Sequence, residues 1–276
     1  MPACGCARIA KVRRSVFHRE TTVPSAELSQ QEIAANAGFG RSRGSRKSSS
    51  GPLGRLTSQS NAWQTVGQSV EGRPIEARLV GTGATRVLFI GGIHGDEPEG
   101  QPLIEQLAEE LRSSRSLTRG RTVLLIRDLN PDGTAGGTRS NKNGVDLNRN
   151  FPASNWDSVA RQSRFNPGLK AASEPETRLL VDLLREFQPE RILVMHATRG
   201  KPMVNYDGPA REIAGELSRL SGYAATDSIG YPTPGSLGSY AGIDMQIPII
   251  TLELPRGIAA AEAWAANAQA LQRFIQ

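Results

Sequence analysis

Cysteine, histidine and long apolar runs are all scarce in this chain of 276 residues. Its two cysteines, Cys4 and Cys6, lie near the N-terminus with one residue between them. That spacing is neither a disulfide framework nor the C-x-x-C of a zinc or redox site. No apolar stretch approaches the roughly 18 residues of a membrane span. Arg13-Arg14 is similar to a twin-arginine export signal, but no apolar segment follows it, so the expected location is the cytoplasm.

The net charge of +6 is unevenly spread. Residues 1–62 hold ten Lys and Arg against three Glu, which leaves 23 basic and 24 acidic residues from 63 onward. The basicity belongs to the tail, and a nucleic-acid partner would have to rest on that tail alone; none is expected, nor is a membrane partner. Residues 40–60 are rich in Gly, Ser and Arg, a composition that cannot bury a core. The expected organisation is therefore an extension over 1–61, with at most a short helix over 25–36, followed by a folded domain over 62–276.

Within that domain, 66–78 reads as a hairpin around Glu71-Gly72-Arg73-Pro74. The stretches 86–90, 122–126, 191–195 and 248–254 read as strands apolar on both faces. Helical spacing covers 102–111, and 174–187 is expected as a helix with Ser173 as N-cap and Glu176 completing a capping box. An alanine-rich helix over 257–275 closes the chain. Buried strands alternating with helices imply an α/β fold: a mixed, mostly parallel central sheet with helices on both faces. In such sheets functional residues collect at the carboxyl ends of strands.

Two of the three histidines fall at those ends. His94 follows the run Val87-Leu88-Phe89-Ile90, with Glu97 three residues later, and His196 follows Ile192-Leu193-Val194-Met195. Two imidazoles and a carboxylate form a ligand set that leaves a fourth tetrahedral position for water, as a catalytic zinc requires. The bland alternative is a pair of hydrogen-bonded strand-end histidines. The polar loop 130–152 carries Arg139, Asn148 and Arg149, and guanidinium forks suit a carboxylate or a developing oxyanion. Their structural alternative is pairing with Asp132 and Asp146. Glu253 stands in the apolar strand Thr251-Leu252-Glu253-Leu254, where a carboxylate is costly unless it is paired, for instance with Arg256, or used as a base beside a metal-activated water.

The order H-x-x-E, N-P-D-G, R-x-N-x-x-G-V-D-L-N-R-N-F-P, a later strand-end histidine and a T-L-E-L strand resembles the zinc carboxypeptidase family over about 62–276. The segments His94-Gly95-Asp96-Glu97-Pro98, Ser173-Glu174-Pro175-Glu176-Thr177 and 231–238 look like the family's bacterial murein peptide amidase branch. Members of that branch cleave the γ-D-glutamyl–diaminopimelate bond of peptidoglycan peptides. The resemblance implies one zinc ion held by His94, Glu97 and His196, Glu253 as general base, and Arg139 polarising the scissile carbonyl. It also implies Asn148 and Arg149 on the substrate's terminal carboxylate and Tyr231 capping the substrate, with Tyr240 as the weaker candidate. Leu237 falls near the position where carboxypeptidases selective for Lys or Arg place an aspartate, which argues against simple basic-residue specificity. The expected partner is a small murein peptide. Rival readings are a carboxypeptidase of ordinary peptides, a zinc deacylase of N-acyl amino acids and a non-catalytic binding module.

Overall fold

A computed structural model of the chain describes residues 51–58 and 60–276. The expected helix over 25–36 and most of the expected extension lie outside the described residues. Among the described residues eight strands are present: β1 (Gln64–Gln68), β2 (Pro74–Gly81), β3 (Thr85–Ile90), β4 (Arg121–Ile126), β5 (Arg191–Thr198), β6 (Met203–Asp207), β7 (Ala224–Thr226) and β8 (Ile249–Pro255). They form one sheet in the order β1-β2-β4-β3-β5-β8-β6-β7. The central run β4-β3-β5-β8 is parallel, while β1, β2 and β6 join antiparallel. The mixed, mostly parallel α/β sheet expected from the sequence is the fold.

The strands are apolar throughout because both faces are covered. Val87 and Phe89 point into one layer with α1 (Gly100–Ser113), α4 (Arg211–Ser221) and α5 (Ala260–Ile275), where the rings of Phe89 and Phe274 meet edge to face 5.5 Å apart. Leu88 and Ile90, one residue out of phase, point into the other layer with α3 (Pro175–Phe187), Leu147 and Phe151. The alternation of a pleated strand thus serves two cores at once. No helix among the described residues is long and apolar enough to cross a membrane.

Three expectations are corrected. The helix α3 has Glu174, not Ser173, at its N-cap, and no side chain caps it. Pro175 fixes the first helical position, so Glu176 falls one residue too early for a capping box. Its buried carboxylate instead accepts from the Val70 amide (3.1 Å) and Asn141 Nδ2 (3.1 Å). Second, the packed body extends upstream of residue 62. Pro52–Arg55 forms a 3-10 turn, the Leu53 amide donates to Glu186, and Leu53 and Leu56 pack on the second core layer. Third, β5 runs two residues beyond His196, so that histidine lies within the strand's last turn of pleat rather than after it.

The long connection from β4 to α3 carries the polar loop and is pinned by Asn150, which is fully buried. Its Nδ2 donates to the carbonyls of Pro167 and Lys170 and to Ser173, while its Oδ1 accepts from the Glu174 amide. Asn150→Ala strands several buried groups at about 1–3 kcal/mol apiece at most. We expect a lower urea midpoint and faster amide exchange at Glu174; unchanged exchange there would contradict the pinning role.

Candidate metal centre and substrate cleft

Parallel strands deliver their carboxyl ends to one edge of the sheet, and the turn after β3 begins there. Gly95 lies so close to the backbone of Gly133 and Thr134, in the short helix α2 (Pro131–Gly136), that a Cβ would overlap it. The glycine lets the turn tuck in, and the Glu97 amide closes it onto the His94 carbonyl at 3.1 Å. His94 and Glu97 therefore face the same way, toward His196 on the neighbouring strand β5.

Their donor atoms converge. His94 Nδ1 stands 3.0 Å from His196 Nδ1, and Glu97 Oε2 lies 3.1 Å from the first and 2.8 Å from the second. All three side chains are buried. Opposed lone pairs at this spacing repel unless a proton or a metal ion sits between them. Donors about 2.0–2.2 Å from one tetrahedral ion stand roughly 3.3–3.5 Å apart, so a slight widening seats zinc. The residues fit the metal, and the donor set leaves one coordination position open.

Asp146 supports this trio and is the functional residue that the sequence reading left as a mere ion-pair candidate. It is fully buried; Oδ1 accepts from His94 Nε2 (3.1 Å) and from the Asn148 amide, and Oδ2 accepts from Arg139 Nε (3.0 Å). Burial opposes the charged form of Asp146, yet His94 and Arg139 outweigh it and hold the carboxyl far below the usual range. Glu97 is likewise held down by the two histidines against its own burial. The available signal was an aspartate flanked by apolar Val145 and Leu147, a pattern that buries a charge.

The two arginines part company. Arg139 does pair with Asp146, and it also reaches Glu97 Oε1 at 3.3 Å. Asp132 is taken by Arg73 and Ser69 instead. Arg149 is buried, donates to the Asn148 carbonyl (2.6 Å) and interacts with the Tyr231 hydroxyl. Burial lowers its pKa, with Asp146 working the other way.

A cleft of about 680 Å³ runs past these groups, lined also by Asn148, Tyr231, Leu237 and Glu253. Glu253 lies beside His196 in register across β5 and β8. Burial pushes its carboxyl upward, partly offset by His196, and no hydrogen-bond donor among the described residues reaches it. The Arg256 alternative fails because that guanidinium is bound to Asp96 (2.9 Å). Asn148 Oδ1 accepts from the Leu237 amide at 2.9 Å, which ties the arginine loop to the opposite wall. Leu237 itself is buried in the second core layer. Tyr231 is exposed at the rim, whereas Tyr240 stacks on Phe151 at 6.2 Å and is outside the cleft lining.

The cleft lining also holds a carboxylate that the sequence reading missed. Asp207, last residue of β6, lies half-buried beside Asn205 and Thr251. Burial raises its pKa, and among the described residues no donor satisfies it. Its Oδ2 lies where a Cβ of Gly238 would be, so only glycine at 238 leaves it room. The strand that carries it, short and without regular alternation, was not anticipated.

The zinc carboxypeptidase family model matches residues 55–258. Murein peptide amidase A of Escherichia coli K12 is 37% identical over 181 residues, covering 61% of this chain and 70% of that protein. The murein peptide amidase A of Vibrio campbellii is 34% identical over 206 residues, 69% of this chain and 78% of the relative. The crystal structure of a murein-tripeptide amidase from Escherichia coli O157 superposes with a TM-score of 0.61 at 29% identity, covering 78% of this chain and 91% of that one.

An aspartate that orients a metal-bound histidine typically affects metal affinity by about 10–100-fold. Asp146→Asn is expected to weaken zinc binding by about that factor in a competition titration with a chelating dye. Unchanged affinity would show that His94 needs no such support.

Proposed function

The chain belongs to the zinc carboxypeptidase family, a hydrolase of peptide or amide bonds, and we propose that its substrate is the γ-D-glutamyl–diaminopimelate bond of murein peptides. His94, Glu97 and His196 are the proposed zinc ligands. Zinc in that site would supply Lewis acidity to a carbonyl oxygen and acidify a water molecule.

Glu253, unpaired and next to His196, takes the proton of the attacking water as its oxygen bonds to the carbonyl carbon. The same carboxyl then protonates the amine nitrogen as the C–N bond breaks, which releases a carboxylate and a free amine. Arg139 sits beside the ligand trio, where its guanidinium offsets negative charge developing on the carbonyl oxygen. Arg149 and Asn148 hold the carboxylate α to the leaving nitrogen, with Tyr231 over them, which restricts cleavage to a terminal residue.

The observation that carries the diaminopimelate reading is Asp207. A half-buried carboxylate left without a donor in the lining of the cleft calls for a cationic group on the terminal residue's side chain. Diaminopimelate brings an ammonium there, together with a second carboxylate that lysine lacks. The missing acid at Leu237 therefore does not leave the cleft neutral.

The test is release of free diaminopimelate from L-Ala-γ-D-Glu-meso-diaminopimelate, with a hippuryl-type peptide run alongside. Glu253→Gln should lower kcat by about 10²–10⁴-fold with zinc still bound. Asp207→Asn should lower kcat/KM by about 10–100-fold, mostly through KM. Cleavage of the hippuryl peptide alone would keep the chemistry and overturn the substrate.

A further inference from the structure

A second cavity, of about 440 Å³, opens beside the cleft and shares Arg149, Arg164, Tyr231 and Pro232 with it. Three arginines (149, 161 and 164) line it against one aspartate, Asp157. That aspartate is turned to its own loop, accepting from the Val159 amide at 2.9 Å. The cavity is therefore cationic by a wide margin.

Phe165 is its organising side chain. Guanidinium carbons of Arg164, Arg149 and Arg139 stand 4.7, 4.9 and 5.4 Å from the ring centroid, and the Tyr231 ring stacks on it at 5.9 Å. A guanidinium held against an aromatic face keeps the N–H donors on its edge for other partners. Two of the three have such partners: Arg139 binds Asp146 and Glu97, and Arg149 binds the Asn148 carbonyl. Arg164 has neither an ion pair nor a hydrogen bond among the described residues. It is a positioned cation at the edge of the cleft with no anion.

The place of the missing anion follows from the direction of the substrate. With the terminal carboxylate on Arg149 and the scissile carbonyl beside Arg139, Phe165 flanks the bond to be cut, because it packs on both guanidiniums (4.9 and 5.4 Å), and Arg164 stands on the same ring. A glutamate joined through its γ-carboxyl keeps its α-carboxylate free on the acyl side of that bond. Only its methylenes and α-carbon separate that group from the scissile carbonyl. An ordinary α-linked peptide presents a neutral amide there.

We propose that Arg164, with Arg161 behind it, binds the free α-carboxylate of the γ-linked glutamate and so selects γ-glutamyl over α-peptide substrates. This rests on the murein amidase reading. Arg164 is a substrate-binding residue on the acyl side; it takes no part in bond breaking.

The experiment uses the zinc-loaded full chain and two tripeptides: L-Ala-γ-D-Glu-meso-diaminopimelate, and its analogue with the glutamate α-carboxylate converted to carboxamide. The wild type should favour the carboxylate form by about 10–100-fold in kcat/KM. Arg164→Gln should erase that preference by raising KM for the carboxylate form alone, with kcat unchanged, and Arg164→Lys should restore part of it. Equal kcat/KM on both peptides for the wild type, or an equal drop on both in Arg164→Gln, would overturn the assignment while leaving the amidase intact. Release of diaminopimelate from neither peptide would overturn the amidase reading and the Arg164 assignment with it.

Discussion

Three lone-pair donors are held about 3 Å apart inside the protein, and most of the surrounding construction serves to keep them there. His94 Nδ1, His196 Nδ1 and Glu97 Oε2 repel one another unless a proton or a metal ion sits between them. Their convergence is imposed by the sheet, which places β3 and β5 side by side, and by Gly95, which lets the intervening turn approach the backbone of Gly133. Asp146 then fixes the far side of the His94 ring, and through Arg139 it couples the metal centre to the substrate-facing loop. One buried aspartate thus orients a proposed ligand and a proposed oxyanion-stabilising cation together.

The cleft carries charge of both signs, which suits the proposed substrate. The cationic side pocket around Phe165 shares Arg149 and Tyr231 with the cleft, whose lining also holds the His94, Glu97 and His196 trio, Arg139, Glu253 and Asp207. A peptide with an anionic acyl side, a carboxylate next to the leaving nitrogen and a distal ammonium complements these charges. The tie between Asn148 and the Leu237 amide holds the two walls of the cleft in register. Buried polar groups satisfied from both walls are stiff, and stiffness is what positions a scissile bond.

Much of this was legible in the sequence because it depends on local pattern. Apolar runs flanked by turn residues marked the central strands, and the rarity of histidine made His94 and His196 conspicuous at their ends. What escaped notice depended on partners distant in the chain. The capping box at Ser173 failed because Val70 and Asn141 recruit Glu176, and no local rule foresees a donor more than a hundred residues upstream. Strand β6 is too short and irregular to read from alternation, so Asp207 at its end went unseen. Asp146 was visible only as a possible counter-ion; its contact with His94 spans 52 positions and needs the fold to exist. The cationic side pocket arises where the loop bearing Arg164 and Phe165 meets the one bearing Tyr231, a meeting with no signature in either.

The most direct test of the account is a crystal structure of the zinc-loaded Glu253→Gln protein with L-Ala-γ-D-Glu-meso-diaminopimelate bound. The account predicts one zinc on His94, Glu97 and His196, the scissile carbonyl beside Arg139, and the terminal carboxylate on Arg149. The distal ammonium should lie at Asp207. Zinc at any other side chains, or a peptide lying with its diaminopimelate away from Arg149 and Asp207, would contradict it.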